Sequence, residues 1–472
     1  MAQVTFNSPC AGQATVEFGP DTSYGRSTAW YAVGAGQMID VLVAGMRAST
    51  TYHMRGQTQC SGNMQNSQDL SFTTGALPSN PFPTIQVTRP NPSLSSSENP
   101  GIELVNLIVP TSNVMQSFFT DRDGNPIWYY DVGVNNSPFP MKLMPNGHVL
   151  INVAEPTTTI LREIDLAGNT IREMDAPTLG QKVAAAGFDF VPVFYHHDVL
   201  PLSNGHVIVL VGFSRPYTNL VGYPGTIQVL GDGLIDLDQN WNPVWAWNSF
   251  DYLDVNRHLD GLPDWTHGNA VVYSPSDGSL LLSMRHQSWI LKIDYNNGAG
   301  TGRVVWRLGY EGDFQLAQGS DPSLWFSFQH FPSLISQTGS QTTLAVWDNG
   351  DFRVLDSNGD VCAISGTPPC YSRATIFQVD ESAMVANLQW ADAPGLFSVW
   401  GGSINQFGNG NVEFDVNGLI TSPMPNLASE VQEVTPTSPP QIVWKMDITP
   451  QRMDAYRAYR VPSLYPGVTW AY

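Results

Sequence analysis

A repeated unit of short strand patterns runs through most of this chain and limits its fold more than any other feature. In the clearest copy a Ser-Asp-Gly turn leads into an apolar run, a second run ends in Ile-Asp, and a third ends in tryptophan. Half a copy, three fuller copies and two weaker ones lie at residues 119–128, 144–168, 202–245, 276–306, 330–391 and 396–460. The chain therefore contains six units, and no apolar pattern of helical period accompanies them.

Units of this kind predict a β-propeller. One unit forms a small antiparallel sheet that cannot bury both of its faces, so radial stacking buries them and the inner strands converge on a central channel. We therefore predict an all-β fold, with a six-bladed β-propeller over residues 101–472. A pair of β-sandwiches or a solenoid is the alternative.

The first 75 residues have a different pattern. Their short alternating runs lie at residues 14–19, 38–43, 50–55 and 71–75. Such runs are typical of a small β-sandwich of the fibronectin III type, which we predict for residues 1–75. Residues 76–100 are rich in proline and serine and are predicted to be a linker. We expect the small domain to support dimerisation, to close over the propeller, or only to add stability.

Charge and hydropathy exclude two classes of partner. The 472 residues have a formal net charge of -20, which argues against nucleic-acid binding because a phosphate backbone requires a basic surface. The longest apolar runs are too short for a transmembrane helix, so we predict no membrane span. Any anionic ligand must therefore be bound by a few local groups.

The four cysteines fall into two sets. Cys10 and Cys60 lie in the first domain, and Cys362 and Cys370 lie within one loop, so we predict two disulfides. Four reduced, buried thiols are the alternative, and neither set has the Cys-x-x-Cys spacing of a zinc or redox site. Disulfides in a chain with only 13% charged residues indicate a periplasmic or secreted protein.

Three histidines begin strand-like segments at matching places in the repeat: His197, His267 and His330. Arg285 stands at the end of the strand that follows His267. Because the inner strands of a propeller converge on its axis, these residues predict one central site. His286 has the opposite strand parity to Arg285, and we expect it to be structural or to face the surface.

Two chemistries suit this set of side chains. Three imidazoles can bind zinc or copper, whereas imidazoles and a guanidinium together can hold a tetrahedral anion while one imidazole attacks it. Arg285 favours the second chemistry, because its forked donors suit sulfate or phosphate oxygens and a divalent metal repels it. We therefore predict no metal and no cofactor. The chain has no glycine-rich phosphate loop, which argues against transfer from a nucleotide.

An ordered set of motifs resembles the bacterial arylsulfate sulfotransferases. The motifs lie at residues 196–198, 266–269, 283–287, 328–330, 346–350 with Arg353, and 455–458. The likeness spans the predicted propeller and extends to the small first domain. It implies a six-bladed propeller in an exported enzyme, which moves a sulfuryl group from a phenolic sulfate ester to another phenol without a nucleotide sulfate donor.

The resemblance also implies roles for the central residues. His330 is the expected nucleophile and is transiently sulfated in a ping-pong reaction. Arg285, His267 and Asn269 are expected to hold the sulfuryl oxygens. Either His267 or His197 is expected to protonate the departing phenolate and then to deprotonate the acceptor.

Three further positions are expected at the substrate. Neighbouring residues of a strand point to opposite faces, so one of His196 and His197 is expected to face the channel. Alignment with His267 and His330 in the repeat favours His197, and His196 is the second choice. Ser403 is an expected anion donor from its place in the last repeat. Tyr459 is among the aromatic residues expected to pack against a phenol ring.

Functions from different classes stay open from the sequence. The sulfotransferase is the main prediction, and the same histidine gives an aryl sulfatase if water attacks the intermediate. A histidine-ligated metalloenzyme and a non-catalytic binding propeller are the alternatives. The expected partners are a small aryl sulfate donor and a phenolic acceptor, and a homodimer is one expected assembly.

Overall fold

Antiparallel β-sheets account for nearly all the regular structure of this chain. The structure is a computed structural model that describes residues 1–78, 82–108, 117–133, 135–421, 426–449 and 454–471. Its N-terminal strands are β1 (Ala2–Asn7), β2 (Gly12–Gly19), β3 (Arg26–Ser27), β4 (Tyr31–Val33), β5 (Met38–Val43), β6 (Thr51–Cys60), β7 (Asn63–Asn66) and β8 (Leu70–Thr73). Strand β1 pairs with β5, while β2 and β6 form the centre of a second sheet with β3, β4, β7 and β8.

Further strands follow along the rest of the chain. The first of them are β9 (Thr84–Thr88), β10 (Ile102–Ile108), β11 (Phe118–Thr120), β12 (Pro126–Tyr129), β13 (Ser137–Leu143), β14 (Val149–Ala154), β15 (Thr159–Ile164), β16 (Thr170–Asp175), β17 (Phe194–Pro201), β18 (Val207–Leu220), β19 (Tyr223–Leu237) and β20 (Pro243–Asn248). The remainder are β21 (Gly268–Ser274), β22 (Ser279–Met284), β23 (Trp289–Ile293), β24 (Val304–Leu308), β25 (Gln315–Leu316), β26 (His330–Thr338), β27 (Gln341–Asp348), β28 (Arg373–Asp380), β29 (Val385–Asp392), β30 (Ser403–Gln406), β31 (Val412–Thr421), β32 (Asn426–Val434), β33 (Ile442–Thr449) and β34 (Asp454–Val461).

Six sheets of four or five strands follow one another over the described part of the chain. Four are built from consecutive strands, namely β13–β16, β17–β20, β21–β24 and β26–β29, with β25 added to the last of these. A fifth contains β30–β33 and ends on β9, and the sixth joins β10–β12 to β34. This is an all-β, propeller-like fold, as the repeat predicts.

The inner edge strands of these sheets, together with β10, form a closed ring. Strand β13 contacts β17, β17 contacts β21, β21 contacts β26, β26 contacts β30, and β30 contacts β34. The ring closes because β34 pairs with β10, which in turn contacts β13. The inner strands therefore surround a common centre, which explains how residues far apart in the sequence meet there.

An apolar layer separates each pair of neighbouring sheets. Between the sheets β17–β20 and β21–β24, for example, Ile208, Leu234, Leu282 and Leu291 are completely buried against one another. Both faces of each sheet are covered in this way, so burial of apolar surface stabilises the stack of sheets. The tryptophan that ends a repeat, such as Trp306, is buried in the next layer.

One α-helix, α1 (Ala176–Ala185), was not expected from the sequence. Asp175 caps its first turn by accepting a hydrogen bond from the Thr178 N–H at 2.8 Å. Short 3-10 turns lie at Pro92–Ser97, Ser249–Asp251, Arg285–Gln287, Asn296–Gly298 and Pro322–Leu324. No helix within the described ranges is long and apolar enough to cross a membrane.

Part of the predicted linker belongs to a sheet. Strand β9 pairs with β33 in an antiparallel register from Thr84 opposite Thr449 to Thr88 opposite Lys445. The proline-rich composition of residues 76–100 hid this five-residue strand, which lies at the outer edge of its sheet. The segment therefore ties the N-terminal part of the chain to the sheet β30–β33.

The C-terminal segment after β34 packs against the N-terminal sheets. The Trp470 indole donates to the Ser27 carbonyl at 2.9 Å and packs edge-on against Phe18. The Tyr465 hydroxyl donates to the Leu42 carbonyl at 2.8 Å. These contacts place the N-terminal sheets against the ring, in one apolar cluster with the strands β10–β15.

Both predicted disulfides are present. Cys10 is bonded to Cys60 in the N-terminal sheets, and Cys362 is bonded to Cys370 in the loop between β27 and β28.

A buried arginine joins the first and last sheets of the ring. Arg460 on β34 contacts Glu103 on β10 at 2.5 Å, Glu433 on β32 at 2.5 Å and Glu413 on β31 at 3.1 Å. All four side chains are at most 1% exposed. Three carboxyl groups that share one guanidinium in this way depend on it for compensation of their charge.

Replacement of this arginine should weaken closure of the ring. We expect Arg460→Leu to lower the free energy of unfolding by about 3–5 kcal/mol, because Glu103, Glu413 and Glu433 lose the buried guanidinium that they share. Urea unfolding followed by tryptophan fluorescence measures the change. The matched variant Arg303→Leu, at an exposed position, should stay within about 0.5 kcal/mol of the parent. Equal stability of the two variants would contradict the closure role.

Candidate active site

Irregularities in three inner strands shape the centre of the ring. The pairing register shifts within residues 195–199 of β17, 268–270 of β21 and 330–333 of β26. A β-bulge interrupts the alternation of side chains and changes their direction. The predicted histidines lie at or beside these shifts, so the bulges direct their rings towards the axis.

The backbone around two of these histidines has an uncommon conformation. His267, Phe328 and Phe331 have positive φ angles of 48°, 52° and 40°. Bulky residues seldom adopt the left-handed region, and such positions concentrate at functional sites. The surrounding sheets therefore hold the site residues in directions that the local sequence does not favour.

His330 is fixed through both of its ring nitrogens. Nδ1 lies 2.7 Å from Asn349 Oδ1, and the Gly401 N–H donates to Nε2 at 3.2 Å. The Asn349 amide is itself oriented, because its Nδ2 donates to the carbonyls of Ser398 and Gly401. Since Asn349 Oδ1 can only accept, Nδ1 carries the proton of the neutral ring and Nε2 keeps its lone pair.

The environment of His330 keeps its imidazole neutral. The residue is 1% exposed. Burial lowers the pKa of His330 well below its usual range, and the positive charge of Arg285 lowers this pKa further. A neutral imidazole with a free nitrogen lone pair is a nucleophile at ordinary pH.

His197 and His267 are in direct contact. Their Nε2 atoms are 3.1 Å apart, and His267 Nδ1 lies 2.6 Å from a carboxylate oxygen of Asp264. Burial lowers the pKa of both histidines. Burial alone raises the pKa of Asp264, but the hydrogen bond to His267 and the nearby imidazoles lower it to about 2. Ionised Asp264 therefore accepts the Nδ1 proton of His267, as the aspartate of a catalytic triad does.

His196 also reaches the site. Its Nδ1 lies 2.7 Å from Asp232 Oδ1, and its ring is 5.1 Å from that of His267, centre to centre. The bulge in β17 removes the strict alternation on which the choice between His196 and His197 was based. Both histidines therefore lie beside His267.

Arg285 has anionic and carbonyl partners at the same centre. One terminal nitrogen donates to Asp351 Oδ2 at 3.1 Å and to the Val399 carbonyl at 3.0 Å. Its other terminal nitrogen donates to His286 Nε2 at 2.6 Å. Burial raises the pKa of Asp351 to about 7, although Arg285 opposes this shift. Asp351 is thus easily neutralised, which leaves the charge of Arg285 available to a bound anion.

His286 does not face the surface, so that part of its expectation was wrong, while a structural role stays a prediction. Strand β22 ends at Met284, and residues 285–287 form a 3-10 turn, so strand parity does not apply to them. His286 is 5% exposed and stacks on His267 at 4.6 Å, and burial lowers its pKa to about 4.

Three residues expected to bind substrate have other partners in the structure. The Asn269 side-chain amide donates to the Gln329 carbonyl at 2.8 Å, which links β21 to the strand of His330. The Ser403 hydroxyl donates to the Ala458 carbonyl. Tyr459 stacks on Phe331 at 5.3 Å. Through these contacts the three side chains hold neighbouring strands of the site together.

Two residues of β34 that were not assigned a role line the centre. The Tyr456 ring stacks on His197 at 5.3 Å and lies edge-on to His330 at 5.6 Å. Arg457 donates to Asp198 at 3.1 Å and to the Asn269 carbonyl at 2.8 Å. The aromatic ring between the histidines is thus Tyr456 and not the predicted Tyr459, which lies three residues away and on the other face of the strand.

A third cation lies beside Arg457. Lys142 Nζ is 3.0 Å from the same Asp198 carboxylate oxygen. Burial lowers the pKa of Lys142, and the charge of Asp198 opposes this. The centre of an acidic protein thus contains three basic side chains, which suit an anionic ligand.

The loop between β27 and β28 supplies partners for both His330 and Arg285. Asn349 and Asp351 begin this loop, and Cys362 in the disulfide lies with its sulfur 3.2 Å from the Gly350 carbonyl. Asn349 was part of a recognised motif, and its position directly after a buried strand was the signal that could have identified it. The disulfide shortens the loop that holds these two residues.

Comparison with known proteins gives one family. The family model of the arylsulfotransferases (ASST) matches residues 88–460. The search of curated proteins found no match. Among solved structures, the chain is similar to the periplasmic gluconolactonase of Pseudomonas aeruginosa, with 11% identity, 75% of this chain and 97% of that chain covered, and a TM-score of 0.38. The chain is also similar to an apocarotenoid oxygenase mutant from Synechocystis, at 9% identity and a TM-score of 0.35. That match covers 97% of this chain and 94% of the oxygenase. Likenesses at these TM-scores carry no argument about function.

Neutral buried histidines make stability depend on pH. The pKa of His286 is about 4 in the folded protein, below the usual 6.5, so the unfolded chain binds the extra proton first as the pH falls. The stability that His286 contributes is complete above pH 6.5 and is lost as the pH falls to about 4, by roughly 2–4 kcal/mol.

We therefore expect His286→Gln and His286→Phe to show a shallower loss of stability over this pH range than the parent. Urea unfolding at a series of pH values measures the slope. The two replacements differ in packing but both remove the titrating ring, so a slope unchanged in both would contradict the lowered pKa.

Proposed function

This chain belongs to the arylsulfotransferase family and is an aryl sulfotransferase, and we propose that it transfers the sulfuryl group through a sulfohistidine at His330. The donor is a phenolic sulfate ester, and the acceptor is a second phenol that enters after the first phenol has left. No nucleotide sulfate donor takes part.

The observation that best supports this proposal is the tautomer and neutral charge of His330. Asn349 holds the proton on Nδ1, so the lone pair of Nε2 is the only nucleophilic position of the ring. Burial and the charge of Arg285 keep the imidazole neutral at ordinary pH. A nucleophile prepared in this way, beside a cation that can bind sulfuryl oxygens, supports attack on the sulfur of an anionic ester.

In the first step, Nε2 of His330 attacks the sulfur atom and the bond from sulfur to the phenolic oxygen breaks. The product is an N-sulfated ring that keeps its proton on Nδ1. His267 takes up a proton when the anionic ester binds beside it, because the charges of the ester and of Asp264 oppose the lowering of its pKa by burial. The protonated ring then gives its Nε2 proton to the departing phenolate. The Gly401 N–H, which donates to His330 Nε2 in the free protein, is then released to a sulfuryl oxygen.

In the second step, the acceptor hydroxyl gives its proton to Nε2 of the now neutral His267. The acceptor oxygen attacks sulfur, the bond from sulfur to His330 breaks, and a new aryl sulfate leaves. His267 is again protonated and His330 is again neutral, so protons and charges balance over the cycle. We assign the proton transfer to His267 because Asp264 orients it, and we assign to His197 the support of its Nε2.

The basic side chains bind the anionic group. Arg285 is the proposed principal partner of the sulfuryl oxygens, since Asp351 is easily neutralised. His196 and the stacked ring of Tyr456 are proposed to border the phenol. Asn269, Ser403 and Tyr459 would act by holding strands in place, unless substrate binding exchanges their present hydrogen bonds and ring contacts.

The proposed architecture follows from the ring of sheets. We interpret the six sheets as the blades of a six-bladed propeller over residues 101–472, with a small β-sandwich domain at 1–75 and a connection at 76–100 that contributes strand β9. The two disulfides support a periplasmic or secreted location. A homodimer is a further proposal, to be tested by sedimentation.

The sulfated intermediate is directly testable. Incubation with p-nitrophenyl sulfate should add the mass of one sulfuryl group to the protein, and peptide mapping should place it on His330. Addition of a phenol should discharge it. His330→Ala should fold like the parent but form no adduct and release no phenol above background. Discharge by water at the same rate as by phenol would favour an aryl sulfatase, and an active His330→Ala would refute the nucleophile.

The effect of replacing His267 on the reaction rate should depend on the leaving phenol of the donor. His267→Ala should slow donors with poorly leaving phenols by about 10²–10⁴-fold, because they need a proton to depart. The same replacement should slow sulfation by p-nitrophenyl sulfate much less, since p-nitrophenolate leaves without a proton. Rates of sulfation across a series of aryl sulfates measure this dependence. An equal loss with every donor would assign His267 to binding, and His197→Ala provides the matched comparison.

A further inference from the structure

We propose that His196, His197 and His267 form a binding site for one divalent zinc ion, and that a bound ion blocks sulfuryl transfer. The binding stands on the geometry of the three histidines. The block rests on the proposed function, because it requires His267 to exchange protons with the phenols.

The three histidines present ring nitrogens to one another. One nitrogen from each lies within 4.8 Å of the other two. The Nε2 atoms of His197 and His267 are 3.1 Å apart. Two nitrogens that bind one tetrahedral zinc ion at about 2.0–2.1 Å stand roughly 3.4 Å from each other, so a small rotation of the rings accommodates the ion.

Carboxylates hold two of the three rings in the orientation that zinc ligands need. His196 Nδ1 lies 2.7 Å from Asp232, and His267 Nδ1 lies 2.6 Å from Asp264. Histidines that bind a metal through one nitrogen usually donate the other N–H to a carboxylate, which fixes the tautomer and raises the basicity of the ligand. Asp232 is itself held by the Thr266 hydroxyl at 2.6 Å.

Charges around the cluster permit a cation. Asp232 and Asp264 contribute negative charge directly behind the ligands. The basic side chains nearby already face acidic partners, because Lys142 and Arg457 share Asp198 and Arg285 contacts Asp351. Asp351 offsets the charge of Arg285 only in part, because its own pKa is raised to about 7, so the compensation for a bound cation comes mainly from Asp232 and Asp264.

A second grouping, Asp264 with His267 and His286, is less suitable. His286 Nε2 accepts a hydrogen bond from Arg285 at 2.6 Å, and its Nδ1 lies 2.8 Å from the Asp264 carbonyl. Both ring nitrogens of His286 are therefore engaged, and one of them faces a guanidinium. His196 is the better third ligand.

An ion at this site would use the lone pair of His267 Nε2. That atom is the one that accepts and returns the phenolic proton in the proposed reaction. A coordinated Nε2 can do neither, so the ion and the proton compete for the same position. Inhibition by zinc should then follow occupancy of the site.

Zinc binding can be measured without any enzyme assay. Calorimetric titration of chelator-treated protein with zinc chloride should show one site, and His196→Ala should weaken it by at least about tenfold through loss of one ligand. Asp264→Asn should weaken it by about 10–100-fold through loss of the carboxylate behind His267. The control His206→Ala removes a histidine that pairs with Asp236 at 3.0 Å but belongs to no such cluster among the described residues, and it should bind zinc like the parent.

Circular dichroism and thermal unfolding establish that each variant is folded before titration. Absence of zinc binding to the parent, or binding unchanged in both folded variants, would overturn the site. A separate assay follows phenol release from p-nitrophenyl sulfate, and inhibition should rise with the same zinc concentration as binding and reverse with chelator. Zinc binding without inhibition would overturn only the proposed inhibition of sulfuryl transfer. Zinc binding by a protein with no sulfotransferase activity would refute the proposed function but leave the zinc site standing.

Discussion

Pairing of β34 with β10 brings the two ends of the ring together, and the central site depends on this closure in two ways. It completes the ring through which the inner strands face one centre. It also delivers Tyr456 and Arg457, whose ring and guanidinium contact residues of β17, β21 and β26. The interaction of Arg457 with Asp198 spans 259 positions in the sequence, so the site can form only in the closed fold.

Closure also explains how an acidic chain binds an anion. A net charge of -20 opposes the approach of an anionic ester over the surface as a whole. Burial within the ring removes the central groups from water and changes their protonation, which leaves the imidazoles neutral and raises the pKa of Asp351. Arg285 is therefore the cation available to an anion, because its partner Asp351 is easily neutralised, whereas Lys142 and Arg457 share Asp198.

The repeat and the histidine spacing predicted the sheets and the meeting of His197, His267 and His330, because both depend on a periodic pattern that each unit shows on its own. The details that failed depend on tertiary structure. A bulge brings His196 to the site together with His197, and a 3-10 turn brings in His286 where strand parity would have excluded it. Tyr456 was missed in favour of Tyr459 because register across the ring is set by closure, which no local pattern encodes.

The Nε2 atoms of His197 and His267 could serve in proton transfer or in metal binding. A carboxylate hydrogen-bonded to the other ring nitrogen favours both uses. A carboxylate on Nδ1 makes Nε2 a better base for a phenolic proton and a better ligand for a metal ion. The surrounding charge decides between them, since an anionic ester is drawn to Arg285 whereas a cation must be compensated by Asp232 and Asp264. Because one lone pair would serve both uses, the arrangement proposed to prepare His267 for proton transfer would also make His267 sensitive to metal ions.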